Sequence, residues 1–391
     1  MKIVDVCAFY SERGGGVRTY VERKLAAGPR LGHEIVILAP GRESRIEYRS
    51  EQARIVYVPA PKFPLDKNYR YFDDAEVLHR ALDSERPDFV EASSPWRSAE
   101  MVARWRGAAP RALVMHADPL AAYAYRWFQP LASQPVIDRG FGWFWRHLLR
   151  LDQRFDTIIS ANSSLSQRLI DGGLQGVRTE PMGVEPGIFD PAHRDEALRT
   201  GLLSLCSLGP DAVLLIGIGR HAPEKRWPMV IDACVAAGYD RPLGLLLIGA
   251  GREGAKVRRV IRGNPHIQLL RPLENRNTLA RVLASADALI HGCESETFCL
   301  VAAEARASGL PIIVPDRGGA YDQVLRGEGE SYSAGSAAAA AAAIGRLLDG
   351  DFASSRARAE TQARTVLTMD QHFAALFGHY ETLISSVRQA A

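Results

Sequence analysis

Short runs of β-forming residues alternate with amphipathic helical patterns over nearly the whole of this 391-residue chain. Such alternation is the signature of βα units, in which strands pair in parallel and the intervening helices cover the sheet. The first half supplies KIVDV at its start, then EIVILAP (34–40), RIVYVPA (54–60), DFVEASS (88–94), ALVMHAD (112–118) and TIISANS (157–163). Amphipathic stretches at 17–30, 73–84 and 97–106 lie between them. A second series follows the Gly/Pro-punctuated segment 181–195, with strands expected at 213–219, 243–250, 267–270, 288–292 and 311–316. One core rarely grows beyond about 250–300 residues, so the expectation is an α/β chain of two doubly wound domains, 1–190 and 191–391. Phe373, Leu376, Phe377, Tyr380 and Leu383 recur at helical spacing and mark a terminal helix, 370–388, expected to dock back on the first domain.

The formal charge of +3 is small for this length, so nothing global calls for nucleic acid. Five cysteines, odd in number and without a C-x-x-C pair, fit neither a disulfide framework nor a zinc site. A reducing cytoplasm is the expected location. MKIVDVCAFY reads as a strand and not as an export signal, and no run of about 18 apolar residues suggests a spanning helix. Neither series opens its first helix with G-x-G-x-x-G, so a nicotinamide or flavin cofactor has no support. Seven consecutive alanines within 333–345 read as a close-packed structural helix.

Ligands of open α/β sheets sit beyond the carboxyl ends of strands. GIGRHAPEKRW (217–227) occupies such a place, and Arg220 and Lys225 supply the two cations that a diphosphate needs for charge neutralisation. The alternative is a solvated charged loop. IGAGR (248–252), with Gly249, is either a structural turn or a loop that lets a phosphate or nucleobase approach its amides. HGCESETFCLVAAEA (291–305) is the sharpest element. Glu296 follows a strand and Glu304 comes eight positions later; eight steps of about 100° return to one helix face with a rise of about 12 Å. Two carboxylates so placed could bind a sugar and a ribose along one extended ligand. Alanines around Glu304 imply a buried carboxylate that requires a partner, whereas Glu294 reads as a surface acid.

Taken in order, Gly219-Arg220, Glu224-Lys225, IGAG, Glu296 to Glu304, ASGLP and Gly318-Gly319 resemble the retaining glycosyltransferases of family 4 over roughly 110 residues. GGGVRTY (14–20), HAD (116–118) and PMGVEPGIFDP (181–191) extend the likeness into the first half. The resemblance implies a GT-B fold, two Rossmann-like domains with parallel sheets facing across a cleft. It implies sugar transfer from a UDP- or GDP-sugar to a hydroxyl acceptor, with retained configuration. Arg220 and Lys225 would hold the diphosphate, Glu296 the sugar hydroxyls and Glu304 the ribose. Gly15 and Gly16 would bring a loop against the diphosphate, and His116 would lie beside the sugar unless it is only a satisfied strand-end histidine. Gly249, Arg271, Phe298 and Leu300 complete the expected donor contacts. No cofactor is implied beyond the donor substrate. No metal is expected either, on the reading that the chain lacks a D-x-D pair and that its two cations suffice. Family members often have Pro-Ser before the first glutamate and Gly after its phenylalanine; here Gly292-Cys293 and Cys299 stand in those places.

Trp96, Trp105, Trp127, Trp143 and Trp145 cluster in a basic neighbourhood, and RGFGWFWRHLLRLDQRF (139–155) mixes aromatic and cationic side chains. This segment is either an aromatic core helix with solvated arginines or a helix meeting an anionic membrane, the inner face of the cell membrane being then a second location. A lipid-linked or glycan acceptor follows from the second reading. The rivals to a transferase are a sugar-nucleotide epimerase on the same fold and a binding protein without chemistry.

Overall fold

The computed structural model describes residues 1–10, 16–64, 69–125, 128, 131 and 133–390. The chain divides into two compact units, Met1–Pro181 with Met369–Ala391, and Met182–Thr368. The boundary falls at 181/182 and not at 190/191, and the terminal helix Met369–Ala390 belongs to the first unit. Local pairing explains the shift. Val184 bridges Thr368 in parallel, and its N–H donates to the Leu367 carbonyl at 2.8 Å, so the strands of chain entering and leaving the second unit are tied together. A Cβ on Gly183 would stand 2.1 Å from the Thr368 carbonyl carbon, which leaves room only for glycine.

The first unit carries β1 (Lys2–Val6), β2 (Glu34–Gly41), β3 (Arg45–Ser50), β4 (Ala53–Pro59), β5 (Phe89–Ala92), β6 (Arg111–Met115), β7 (Thr157–Ser160) and β8 (Val177–Thr179). They run in the order β3-β4-β2-β1-β5-β6-β7-β8, parallel throughout except for the β3/β4 pair. Central strands of a sheet covered on both faces are apolar without alternation; Ile35–Ala39 are all buried. β3, absent from the sequence reading, is RIEYRS, whose charges suit an exposed antiparallel edge. The terminal helix buries Phe373, Leu376, Phe377 and Tyr380, with Tyr380 stacked on Phe89 at 3.9 Å between ring centroids.

The second unit carries β9 (Val213–Ile218), β10 (Leu243–Ile248), β11 (Ile267–Leu270), β12 (Ala288–Ile290), β13 (Ile312–Pro315) and β14 (Gly329–Tyr332) in the order β11-β10-β9-β12-β13-β14, all parallel. Strand order reverses at β9, between β10 and β12, so the crevice for a ligand opens beyond the carboxyl ends of β9 and β12. The polyalanine stretch forms helix Ala337–Asp349, capped by Ser336, and buries Ala340, Ala343, Ile344 and Leu347 in the cluster that holds Trp227 and Val230. Among the described residues no helix is long and apolar enough to cross a membrane.

Candidate active site

The loop after β9 ends in a short 3-10 turn, Pro223–Lys225, before the helix Trp227–Ala237. Trp227 is buried, and its indole N–H donates to the Arg220 carbonyl at 3.0 Å, which fixes the backbone of that loop. The Arg220 side chain is 75% exposed beside Glu224 at 3.2 Å, whereas that of Lys225 is only 14% exposed. Gly249 supports the loop from β10: a Cβ there would stand 1.9 Å from the Gly219 carbonyl oxygen.

Lys225 donates to the Glu296 carboxylate, and the pair joins the loop after β9 to the loop after β12. Burial works against both charges, but each is held by the other. Against that burial, Lys225 and then His291 lower the Glu296 carboxyl far below its ordinary range. Glu296 in turn raises the Lys225 ammonium well above its own. Gly292 lets the two loops touch, since a Cβ on it would meet the Lys225 carbonyl oxygen at 2.6 Å. The Gly318-Gly319 turn presses on the same loop: the Gly319 N–H donates to the Glu296 carbonyl at 2.7 Å, and a Cβ on Gly318 would lie 2.4 Å from the Glu294 carbonyl oxygen.

The helix that carries Glu304 begins at Leu300, and Cys299 before it is left-handed at φ 66° and ψ 67°. Glu296 therefore stands in the loop, and the expectation that both glutamates share one helix face fails. The left-handed residue breaks the helical register between them. Glu304 is buried among Ala302, Ala303, Ala305 and Ala307, and the partner its burial requires is Arg276, which sequence reasoning missed. The Arg276 guanidinium also reaches Glu185 at 3.4 Å and lies 4.9 Å from the Phe189 ring centre. Glu294 is no surface acid: Arg226 grips it in a two-point pair, with Nε donating to Oε2 at 2.7 Å. Phe298 is buried, and its carbonyl accepts from Gln323 at 3.2 Å, while Leu300 is half-buried and Arg271 exposed.

In the first unit, His116 directly follows β6, with its Nε2 3.3 Å from Ser93 Oγ and its ring edge-on to Tyr20 at 4.8 Å. Burial pushes its imidazole down to about 4. Asp118 of the same segment is structural, capping Leu120 and Ala121 at 3.1 Å and pairing with Arg168. Gly15 lies outside the described residues. Gly16 opens the helix Gly16–Arg30, and a Cβ there would meet no described atom within 4 Å, so nothing in the described chain demands glycine.

His291, Glu296 and Cys299 bring ligand atoms within 4.8 Å of one another. They suit a metal poorly: the Lys225 ammonium already occupies Glu296, and burial holds the Cys299 thiol well above its ordinary range. Neither ring nitrogen of His291 has a hydrogen-bond partner among the described residues, and its Nε2 stands 3.6 Å from Glu296. One premise about metals needs correction, because Asp349-Gly350-Asp351 is a D-x-D run. Its chemistry is structural: Asp349 pairs with Arg241 at 2.5 Å and Asp351 caps the helix Phe352–Ala363.

Helix Gly142–Asp152 has one buried and one exposed face. Phe144, Leu148 and Leu151 are buried, while Trp143, Arg146 and Arg150 are exposed. Trp96 is exposed and Trp105 buried; Trp127 lies outside the described residues.

Residues 208–366 match the family model described as glycosyl transferases group 1, and residues 15–183 match the glycosyl transferase 4-like domain. The GDP-mannose-dependent alpha-(1-6)-phosphatidylinositol dimannoside mannosyltransferase of Mycobacterium tuberculosis is 30% identical over 319 residues, covering 80% of this chain and 79% of that protein. A GDP-mannose-dependent alpha-mannosyltransferase of the same species is 28% identical over 330 residues, 83% of this chain and 81% of its own. Among solved structures, sucrose-phosphate synthase from Thermosynechococcus elongatus superposes with a TM-score of 0.75 at 18% identity, covering 99% of this chain and 100% of that one. Anabaena HepE in complex with UDP and glucose gives 0.68 at 15% identity, covering 97% and 100%. The fold is GT-B, and the chain belongs to the glycosyltransferases of family 4. Its activity is glycosyl transfer from a nucleotide-sugar donor.

Cys299 occupies a backbone conformation that glycine adopts without cost and a β-branched residue adopts badly. Cys299→Val is expected to be less stable than Cys299→Gly by about 1–2 kcal/mol in urea unfolding. Equal stabilities would refute the left-handed turn before the Glu304 helix.

Proposed function

We propose that this protein moves a hexosyl group, mannose foremost, from a nucleotide-diphosphate sugar to a hydroxyl of a lipid-linked or glycan acceptor, with retention and without a metal. The observation that carries this reading is the shielded Lys225–Glu296 pair beside exposed Arg220, at the strand-order switch of the second sheet. In this proposal the two cations hold the diphosphate and stabilise the departing nucleotide, a role that preorganised charge fills without reorganisation in the transition state. Glu296 accepts hydrogen bonds from sugar hydroxyls. Glu304, steadied by Arg276, accepts from the ribose. Gly249, Arg271, Phe298 and Leu300 line the donor, Gly15 and Gly16 approach the diphosphate, and His116 contacts the sugar. GDP is favoured over UDP because the relatives named above use GDP-mannose. No carboxylate is assigned as a covalent nucleophile, so orientation and leaving-group stabilisation supply the catalysis.

The acceptor side of the proposal rests on the first unit. A cavity of about 540 Å³ is lined by Trp96, Arg97, Arg104, Trp143, His147 and Arg150. Guanidinium groups beside exposed indoles suit an anionic lipid headgroup at an interface. The same face gives the protein a peripheral place on an anionic membrane.

Three measurements test these assignments. GDP-mannose should raise the melting temperature, by about 2.7 kcal/mol of stabilisation at a hundred times its Kd, and more than UDP- or ADP-sugars do; no shift with any nucleotide sugar would sink the donor reading. Lys225→Ala should lower kcat by about a hundredfold or more in protein that still folds, with some loss of Tm because Glu296 is left without its partner, and full activity would return Lys225 to a structural role. In co-sedimentation with anionic vesicles at low salt, Arg146→Glu with Arg150→Glu should abolish binding. Binding indifferent to both changes would exclude this face from the membrane.

A further inference from the structure

His291 stands directly after β12, and both of its backbone groups are fixed. The N–H donates to the Ile313 carbonyl at 2.9 Å, and the carbonyl accepts from the Tyr332 hydroxyl at 2.5 Å. The imidazole is completely buried, yet neither ring nitrogen has a hydrogen-bond partner among the described residues. An apolar side chain would fill this place without that penalty, so a histidine here calls for a reason. Its Nε2 stands 3.6 Å from Glu296 Oε1, the same oxygen that accepts from Lys225. A shift of about half an ångström would bring it within hydrogen-bond range. Neighbouring groups are otherwise engaged: Arg226 clamps Glu294, and Cys293 Sγ lies 3.3 Å from Ser295 Oγ.

Lys225 has two anions to serve in the proposed reaction. Without a ligand it neutralises Glu296. A bound diphosphate carries more negative charge than one carboxylate and competes for the same ammonium. Once Lys225 turned toward the phosphates, Glu296 would be a shielded anion without its partner, which is costly. We propose, on the reading that Lys225 holds the donor's diphosphate, that His291 is the relief partner of Glu296: as Lys225 shifts to the phosphates, the imidazole donates from Nε2 to Oε1. A carboxylate only accepts, so the hydrogen of that contact belongs to the imidazole nitrogen. His291 is in this way a positioning residue, which keeps Glu296 anionic and in place for the sugar hydroxyls and takes no part in the bond exchange.

A double-mutant cycle on thermal stability tests the hand-over without any ligand. In the wild-type background Lys225 still serves Glu296, so His291→Phe should cost little or no stability. In Lys225→Ala the imidazole is the remaining partner, and the same change should lower the Tm by a further few degrees. Equal effects in the two backgrounds, whether both negligible or both destabilising, would overturn the proposal. Titration calorimetry with GDP and GDP-mannose reads the donor side. His291→Phe should weaken both by about tenfold, and His291→Gln, which keeps a nitrogen donor at similar reach, should restore most of the loss. Wild-type affinity in His291→Phe would overturn the proposal, as would a His291→Gln protein that binds no better than His291→Phe. A stability cycle that holds in protein binding no nucleotide would uphold the contact and refute the donor reading.

Discussion

In a parallel sheet every strand delivers its following loop to the same edge, so residues far apart in sequence are obliged to meet there. Lys225 and Glu296 stand 71 positions apart, yet β9 and β12 are neighbours and their loops close on one ion pair. In the first unit the convergence is of strands and a helix: Asp5 and Glu91 stand side by side on β1 and β5, and Lys24 of the helix Gly16–Arg30 reaches both. Each sheet thus gathers charge at the place where its strand order reverses.

Gathering charge at such an edge costs desolvation, and a partner that was removed would leave the other charged and poorly solvated. The pairs accordingly come with supporting contacts. Gly319 holds the Glu296 carbonyl, Trp227 holds the Arg220 carbonyl, and Arg226 clamps Glu294 two residues before Glu296. The glycines of this neighbourhood serve close approach, since Gly249, Gly292 and Gly318 each face a backbone oxygen that a side chain would strike. A site already closed on itself by opposite charges is preorganised for a ligand that carries charge of its own.

Much of this was legible in the sequence, and the failures have physical causes. Buried parallel strands announce themselves as apolar runs, which is why the central strands were found, while RIEYRS, VRT and GESY are polar and peripheral and were not. The cations and glutamates stood out through their order along the chain. Their partners did not, because Arg276 meets Glu304 and Arg226 meets Glu294 only after the strand order is known. Helical arithmetic between Glu296 and Glu304 went astray at one residue. Cys299 stands in the left-handed region, a conformation that glycine adopts without cost and that periodicity cannot announce at a cysteine.

The protonation states within each unit bear on how the proposed transfer could proceed. Glu296 is held anionic by Lys225 and His291 against the opposing effect of burial, so it can accept from hydroxyls and has no proton to give. Burial keeps the His116 imidazole neutral, pushed down to about 4. Neither group is then suited to protonate a departing phosphate oxygen. In the proposed reaction the negative charge that develops on the leaving nucleotide must be met by fixed positive charge, and Arg220 with Lys225 are the cations on the loop at the strand-order switch. Lys225 remains protonated because Glu296 outweighs its burial. Glu296 and Lys225 sustain one another's charge, so in the proposed reaction Glu296 would be as necessary to the electrostatics of departure as to recognition of the sugar.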